Sequence, residues 1–116
     1  MLRNIPVLLE GYKLQVSEEP TMKTRLDEHG NEVVATDYHG ATQYVVSLFA
    51  KPLDENGKAR GKGEEIKVTL ETEPEEIEDG TRVELINPRV SHWQNDFGNG
   101  TTSGLSWKAT GIKPVR

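Results

Sequence analysis

"INPRVSHWQNDFGNGTTSGLSWKATGIKP", residues 86–114, opens as a strand, passes through a Gly- and Asn-rich stretch and closes as a strand. Both tryptophans of the chain, Trp93 and Trp107, lie on its arms. Side chains alternate sides along an extended strand. Arg89, Ser91 and Trp93 therefore share one face, opposite Val90 and His92. Leu105, Trp107 and Ala109 share another, opposite Ser106, Lys108 and Thr110. By this parity Trp107 belongs with apolar neighbours in a core. Trp93 lies with Arg89 on a polar face, where it serves either as a core edge or as an exposed stacking surface. Residues 94–103 read as a mobile loop between the two strands.

The same strand logic extends outward. TQYVVSLFA (42–50) is β-branched, aromatic and nearly continuous in apolar character, as in a strand buried on both faces. EIKVTLETE (65–73) alternates Ile66, Val68 and Leu70 against Lys67, Thr69 and Glu71, the pattern of a half-buried strand. Arg82–Ile86 carries Val83 and Leu85 on one side and can continue past Asn87-Pro88 to Trp93. Ile5–Val16 alternates with a slip at Gly11, and Ser17–Pro20 breaks it. Thr21–Leu26 and Glu32–Thr36 flank DEHGN as a hairpin. PEEIEDG (74–80) reads as one turn of helix, with proline at a tolerated first position. No 3.6-residue period supports a longer helix, and no repeat is evident. Five to seven strands with one helical turn between the third and fourth predict an all-β chain. The expected form is a small OB-like Greek-key barrel spanning residues 1–116 as a single domain.

Composition narrows the function. Hydrophobic residues are 34% of 116, so the core is lean. There is no Cys, which excludes a disulfide scaffold, a thiolate zinc site and a Cys nucleophile. The N-terminal apolar run lacks the length of a signal segment, and no stretch approaches a membrane span. A soluble, cytoplasmic protein without membrane contact is expected. His29, His39 and His92 have no metal-site spacing. No Ser lies in a G-x-S-x-G elbow. GKARGKG (57–63) lacks the Lys-Ser/Thr ending of a phosphate loop. Neither an enzyme nor a cofactor or metal site is expected.

The formal charge is −5, unusual for a nucleic-acid binder. Its distribution is uneven. Residues 71–85 hold seven acids and one base, whereas residues 86–116 hold four bases and one acid. Non-specific single-strand binders combine a basic groove with aromatic side chains on which bases stack. The phosphate candidates are Lys51, Lys58, Arg60, Lys62, Lys67, Arg89 and Lys108. The stacking candidates are Trp93 and Phe97, with Tyr44 and Phe49. They would line a cleft over strands 43–51 and 65–71, flanked by loops 52–63 and 94–103.

The segments Val83-Glu84-Leu85-Ile86-Asn87-Pro88-Arg89 and Leu105–Lys113 also bear a family likeness. The first resembles the V-x-L-x-N-P-R segment of small helicase-processivity proteins from integrative and conjugative elements of Gram-positive bacteria. The second is similar to the closing strand of activators of replication, integration and excision of actinomycete integrative plasmids. The resemblance covers roughly the last 75 residues. It implies an OB-like accessory that holds single-stranded DNA and works with a helicase or relaxase. It also implies structural roles for Asn87 and Pro88 and a phosphate contact for Arg89. An alternative is an interaction or regulatory module that docks through the acidic segment 71–79 and binds no DNA.

Overall fold

The computed structural model describes residues 2–115, and they form an all-β protein. Ten strands follow one another: β1 (Ile5–Pro6), β2 (Tyr12–Met22), β3 (Thr24–Leu26), β4 (Glu32–Val34), β5 (Tyr44–Pro52), β6 (Glu64–Leu70), β7 (Arg82–Ile86), β8 (Arg89–Phe97), β9 (Gly100–Ala109) and β10 (Gly111–Pro114). Eight pair in the order β1-β8-β9-β6-β5-β2-β7-β10, and β3-β4 forms a separate hairpin. All pairings are antiparallel except β6 with β9. No helix of the described residues is long and apolar enough to cross a membrane.

One residue, Thr110, separates β9 from β10, and this makes the ladder circular. β9 pairs with β6, while β10 pairs with β7, which pairs with β2. The circuit β2-β5-β6-β9/β10-β7-β2 therefore returns to its start. Every strand of this ring sends residues inward. Leu14 and Val16, Val46 and Leu48, Val68 and Leu70, Val83, Ala109 and Ile112 make one buried cluster. Leu48, Leu70 and Val68 are completely buried.

Two kinks permit the change of partners. Asn87 adopts a left-handed backbone (φ 53°), which asparagine tolerates better than most residues. Pro88 follows, and the strand resumes as β8 alongside β9 and β1. Opposite them, the Thr110 N–H donates to the Ile86 carbonyl, and the Asn87 Nδ2 donates to Thr110 Oγ1 at 3.2 Å. The expected continuation past Asn87-Pro88 is thus present as two strands with a kink between them.

Four expectations change. PEEIEDG is not helical: residues 73–78 are irregular and Asp79-Gly80 is a turn. Glu75–Asp79 and neighbouring acid pairs would stack like charges at helical spacing, which disfavours the helix. Ile77 instead inserts into the ring's core at 3% exposure. Ser17–Pro20 does not end the strand. β2 runs on to Met22 through register shifts at Val16/Glu18 and Glu18/Thr21, bulges that accommodate a proline. TQYVVSLFA is buried on both faces only at its centre, Val46–Leu48, where Ser47 is 3% exposed; on the outer face Phe49 is 41% exposed. Residues 94–103 are not a loop. β8 and β9 pair without a slip from Arg89↔Lys108 to Phe97↔Gly100, leaving only Gly98-Asn99 as the turn.

One turn is used three times. In DEHGN (27–31), DYHGA (37–41) and DENGK (54–58), the aspartate Oδ1 accepts the N–H groups two and four residues on, at 2.8–2.9 Å. The fourth residue, Gly30, Gly40 or Gly57, has φ between 77° and 86°, a conformation that favours glycine. These turns make compact, hydrogen-bonded tips of segments that composition alone presents as flexible.

Candidate nucleic-acid interface

Register decides which candidates meet. On the outer side of the ring, Val45, Thr69, Lys108 and Arg89 lie across β5, β6, β9 and β8 in one row. Ser47 and Lys67 pair in the next, where β9 and β8 contribute Ser106 and Ser91. Phe49 and Glu65 pair beyond them; β9 no longer pairs with β6 there, and on the departing ribbon Gly104 lies opposite Trp93 on the outward side. Lys51 follows at the end of β5, directly opposite Lys13 of β2. One sheet face thus collects Lys51, Lys67, Lys108, Arg89, Phe49, Trp93 and, at the end of β8, Phe97.

The members differ in freedom. Lys67 is exposed and makes no ion pair among the described residues. Lys51 and Lys13 are half-buried, and like charges directly opposite in a sheet repel. Sequence reading missed Lys13. Its signal is its odd position beside inward-facing Leu14, but that signal acquires meaning only when β2 is paired with β5.

Arg89 is not free for phosphate. Its side chain is only 16% exposed and forms an ion pair with Glu71, and its Nε donates to the Asn87 carbonyl. The guanidinium therefore ties β8 to the end of β6 below the kink. Removing it would leave a partly buried carboxylate without its partner. Tyr44 also leaves the candidate set. It pairs with Leu70 on the inward side and packs against the core.

Trp93 receives a defined seat. A Cβ built at Gly104 would fall 2.7 Å from Trp93 Cζ2, so the indole lies flat over that glycine. This cross-strand cover buries one side of the ring and leaves Trp93 half-buried. Trp107 faces inward and packs against the core from the other side of the sheet. Phe97 is 62% exposed near the turn.

The loop 53–63 is a folded tip. Leu53 bridges Ala59, and the Arg60 N–H donates to the Pro52 carbonyl. Arg60 Nε lies 2.7 Å from Asp54 Oδ2, so its charge is matched within the loop. Lys58 and Lys62 remain exposed. The Phe49 ring packs over Gly63, which brings this tip against the face. At the opposite end, Lys23 Nζ donates to Thr69 Oγ1 at 3.0 Å. Asp37 is held below its ordinary carboxylate range by the N–H groups of Ala41 and His39, with smaller contributions from the charges of His39 and Lys108. The segment 23–43 thus bounds the face beside Lys108.

Chemically, this strip offers separated ammonium groups, hydroxyls and two or three aromatic surfaces. Acids are interspersed: Glu65 accepts a hydrogen bond from Ser17 Oγ at 3.1 Å, and Glu18 lies beside Ser47. Among the described residues no group of His, Asp and Glu has the arrangement to hold a metal ion. No protein-family model, curated protein or solved structure matches the chain.

Proposed function

We propose that this chain is an OB-type barrel that binds single-stranded DNA along the outer face of β5, β6, β8 and β9, as an accessory to replication or transfer of a mobile element. The strand circuit supports the fold reading. Five strands in the order β2-β5-β6-β9/β10-β7, with a single parallel pair between the third and fifth, follow the OB path. Ile77 occupies the place of the usual helical plug.

One observation carries the binding reading: Lys51, Lys67 and Lys108 alternate with Phe49 and Trp93 on a single sheet face. Lysines spaced along strands meet successive phosphates, and half-covered aromatics accept a stacked base. The interspersed acids keep affinity modest and make it strongly dependent on salt. The resemblance of residues 83–89 and 105–113 supplies the biological setting, with a helicase or relaxase as partner. Within it, Asn87, Pro88 and Arg89 form the kink, and Lys51 and Lys67 take the phosphate role.

The test is anisotropy of labelled oligo-dT with Lys51→Glu/Lys67→Glu. Replacing Lys51 relieves its repulsion with Lys13, and the circular dichroism of the variant should match the parent's. Binding should fall at least tenfold, and the slope of log affinity against log salt should shrink by roughly 1.4 for two lost contacts. Lys113→Glu, on β10 away from this face, should bind nearly as the parent does. Equal binding by the parent and the double variant would refute the site.

A second reading rests on a different depression, of about 410 Å³, between Pro20, Met22, Tyr44 and Pro74 with Glu73 and Glu76 at its rim. Four glutamates, Glu19, Glu73, Glu75 and Glu76, line it beside these apolar side chains, which suits a basic protein segment of a helicase or relaxase. Loss of partner capture on Glu73→Lys/Glu76→Lys, with oligo-dT binding unchanged, would favour it.

A further inference from the structure

The β8–β9 ribbon leaves the ring with an unpaired edge. The Ala109 carbonyl accepts the Glu71 N–H on the side of β6. By strand alternation the backbone groups of Thr101, Ser103 and Leu105 face that same side. β6 pairs with β9 only at Trp107–Ala109, so among the described residues no strand meets those groups. Proteins guard such edges with lysine, proline, bulges or covering loops. Here Gly100–Trp107 contains no charge and no proline, and its pairing to β8 has no register shift. Leu105 is 57% exposed beside it.

Charge selects the occupant. From Val90 to Trp107 the ribbon has no Lys or Arg, so this edge does not track a phosphate backbone. Its one acid, Asp96, is already met by Gln94 Nε2 at 3.2 Å and Thr101 Oγ1 at 3.0 Å. Two copies of a chain with net charge −5 repel over most of their surface, but here they can meet without opposing charges. We propose that the open β9 edge pairs antiparallel with the same edge of a second copy, giving a weak two-fold dimer through a four-stranded ribbon. This is independent of the DNA-binding reading.

Sedimentation velocity of the full chain from about 1 µM to about 100 µM tests it, a range suited to a small interface. The parent should shift from monomer toward dimer. Ser103→Pro removes an N–H that faces the open edge and leaves the bonds to β8 intact, so it should stay monomeric. Gln94→Pro, whose N–H faces the opposite edge of the ribbon, should still dimerise. Leu105→Lys sets like charges against each other without touching the backbone and should also stay monomeric. A parent that is monomeric at about 100 µM, or a dimer indifferent to both Ser103→Pro and Leu105→Lys, would overturn the proposal.

Discussion

The ring and the β8–β9 ribbon are built from the same continuous strands but solve opposite problems. In the ring, each strand places alternate side chains into one cluster, and Leu48, Leu70 and Val68 lose all contact with water. Each such side chain contributes about 1.5–3 kcal/mol relative to an exposed position. Beyond Trp93 and Gly104 the same two strands bury nothing, and residues 94–103 are exposed throughout. The radius of gyration, 15.6 Å, exceeds the ~13 Å expected of a compact chain this long, consistent with such a projection. Stability thus resides in the ring, while the ribbon and outer face retain the polar and aromatic groups available to partners. Arg89 with Glu71, and Trp93 over Gly104, mark the transition between them.

Substitutions can break or sharpen this contrast. The largest effect belongs to the ring. Leu48→Ala should lower unfolding free energy by about 2–5 kcal/mol in urea titrations, whereas Phe97→Ala on the ribbon should change it by less than about 0.5 kcal/mol. Comparable losses would mean that the ribbon belongs to the core. At the transition, Arg89→Ala should cost about 1–3 kcal/mol by stranding Glu71. Arg89→Met/Glu71→Met should recover most of that loss, since both charges are removed together. Gly104→Ala should displace the indole of Trp93, shift its emission to the red and cost roughly 1 kcal/mol. An unchanged spectrum would deny their contact.

The smallest effect concerns Asp37. Its carboxyl is held below the ordinary value of 3.8 in the folded chain, so it contributes stability that is present above that pH. The contribution is lost as pH falls through the lower folded value. In acid the 37–41 turn should loosen, seen as faster amide exchange at Ala41, and Asp37→Asn should remove that pH dependence. Exchange at Ala41 that stays constant with pH in the parent, once corrected for intrinsic rates, would contradict it.

Much of this was legible in the sequence. Alternation of Ile66, Val68 and Leu70, and of Val83 and Leu85, fixes strands and inward faces because burial on one side demands period two. Parity also separates Trp93 from Trp107. The two-residue Gly98-Asn99 turn was misread as part of a loop over 94–103, although Gly-Asn between polar β-prone arms is a hairpin signal. It was obscured by the surrounding glycines. Partners across strands were not legible. Lys13 opposite Lys51 depends on the β2–β5 register, and Arg89 beside Glu71 depends on the kink at Asn87 that carries β8 past the end of β6. The irregular 73–78 segment escaped because a single inserted Ile77, rather than helix propensity, decides its path.

The most direct measurement uses Trp107→Phe protein, in which Trp93 is the sole tryptophan, titrated with oligo-dT at about 50 mM and then about 200 mM salt. Trp93 emission should be quenched as the oligonucleotide binds, binding should weaken steeply at the higher salt, and Lys51→Glu/Lys67→Glu should abolish the response. Unchanged Trp93 emission together with no binding at the lower salt would contradict the outer-face site.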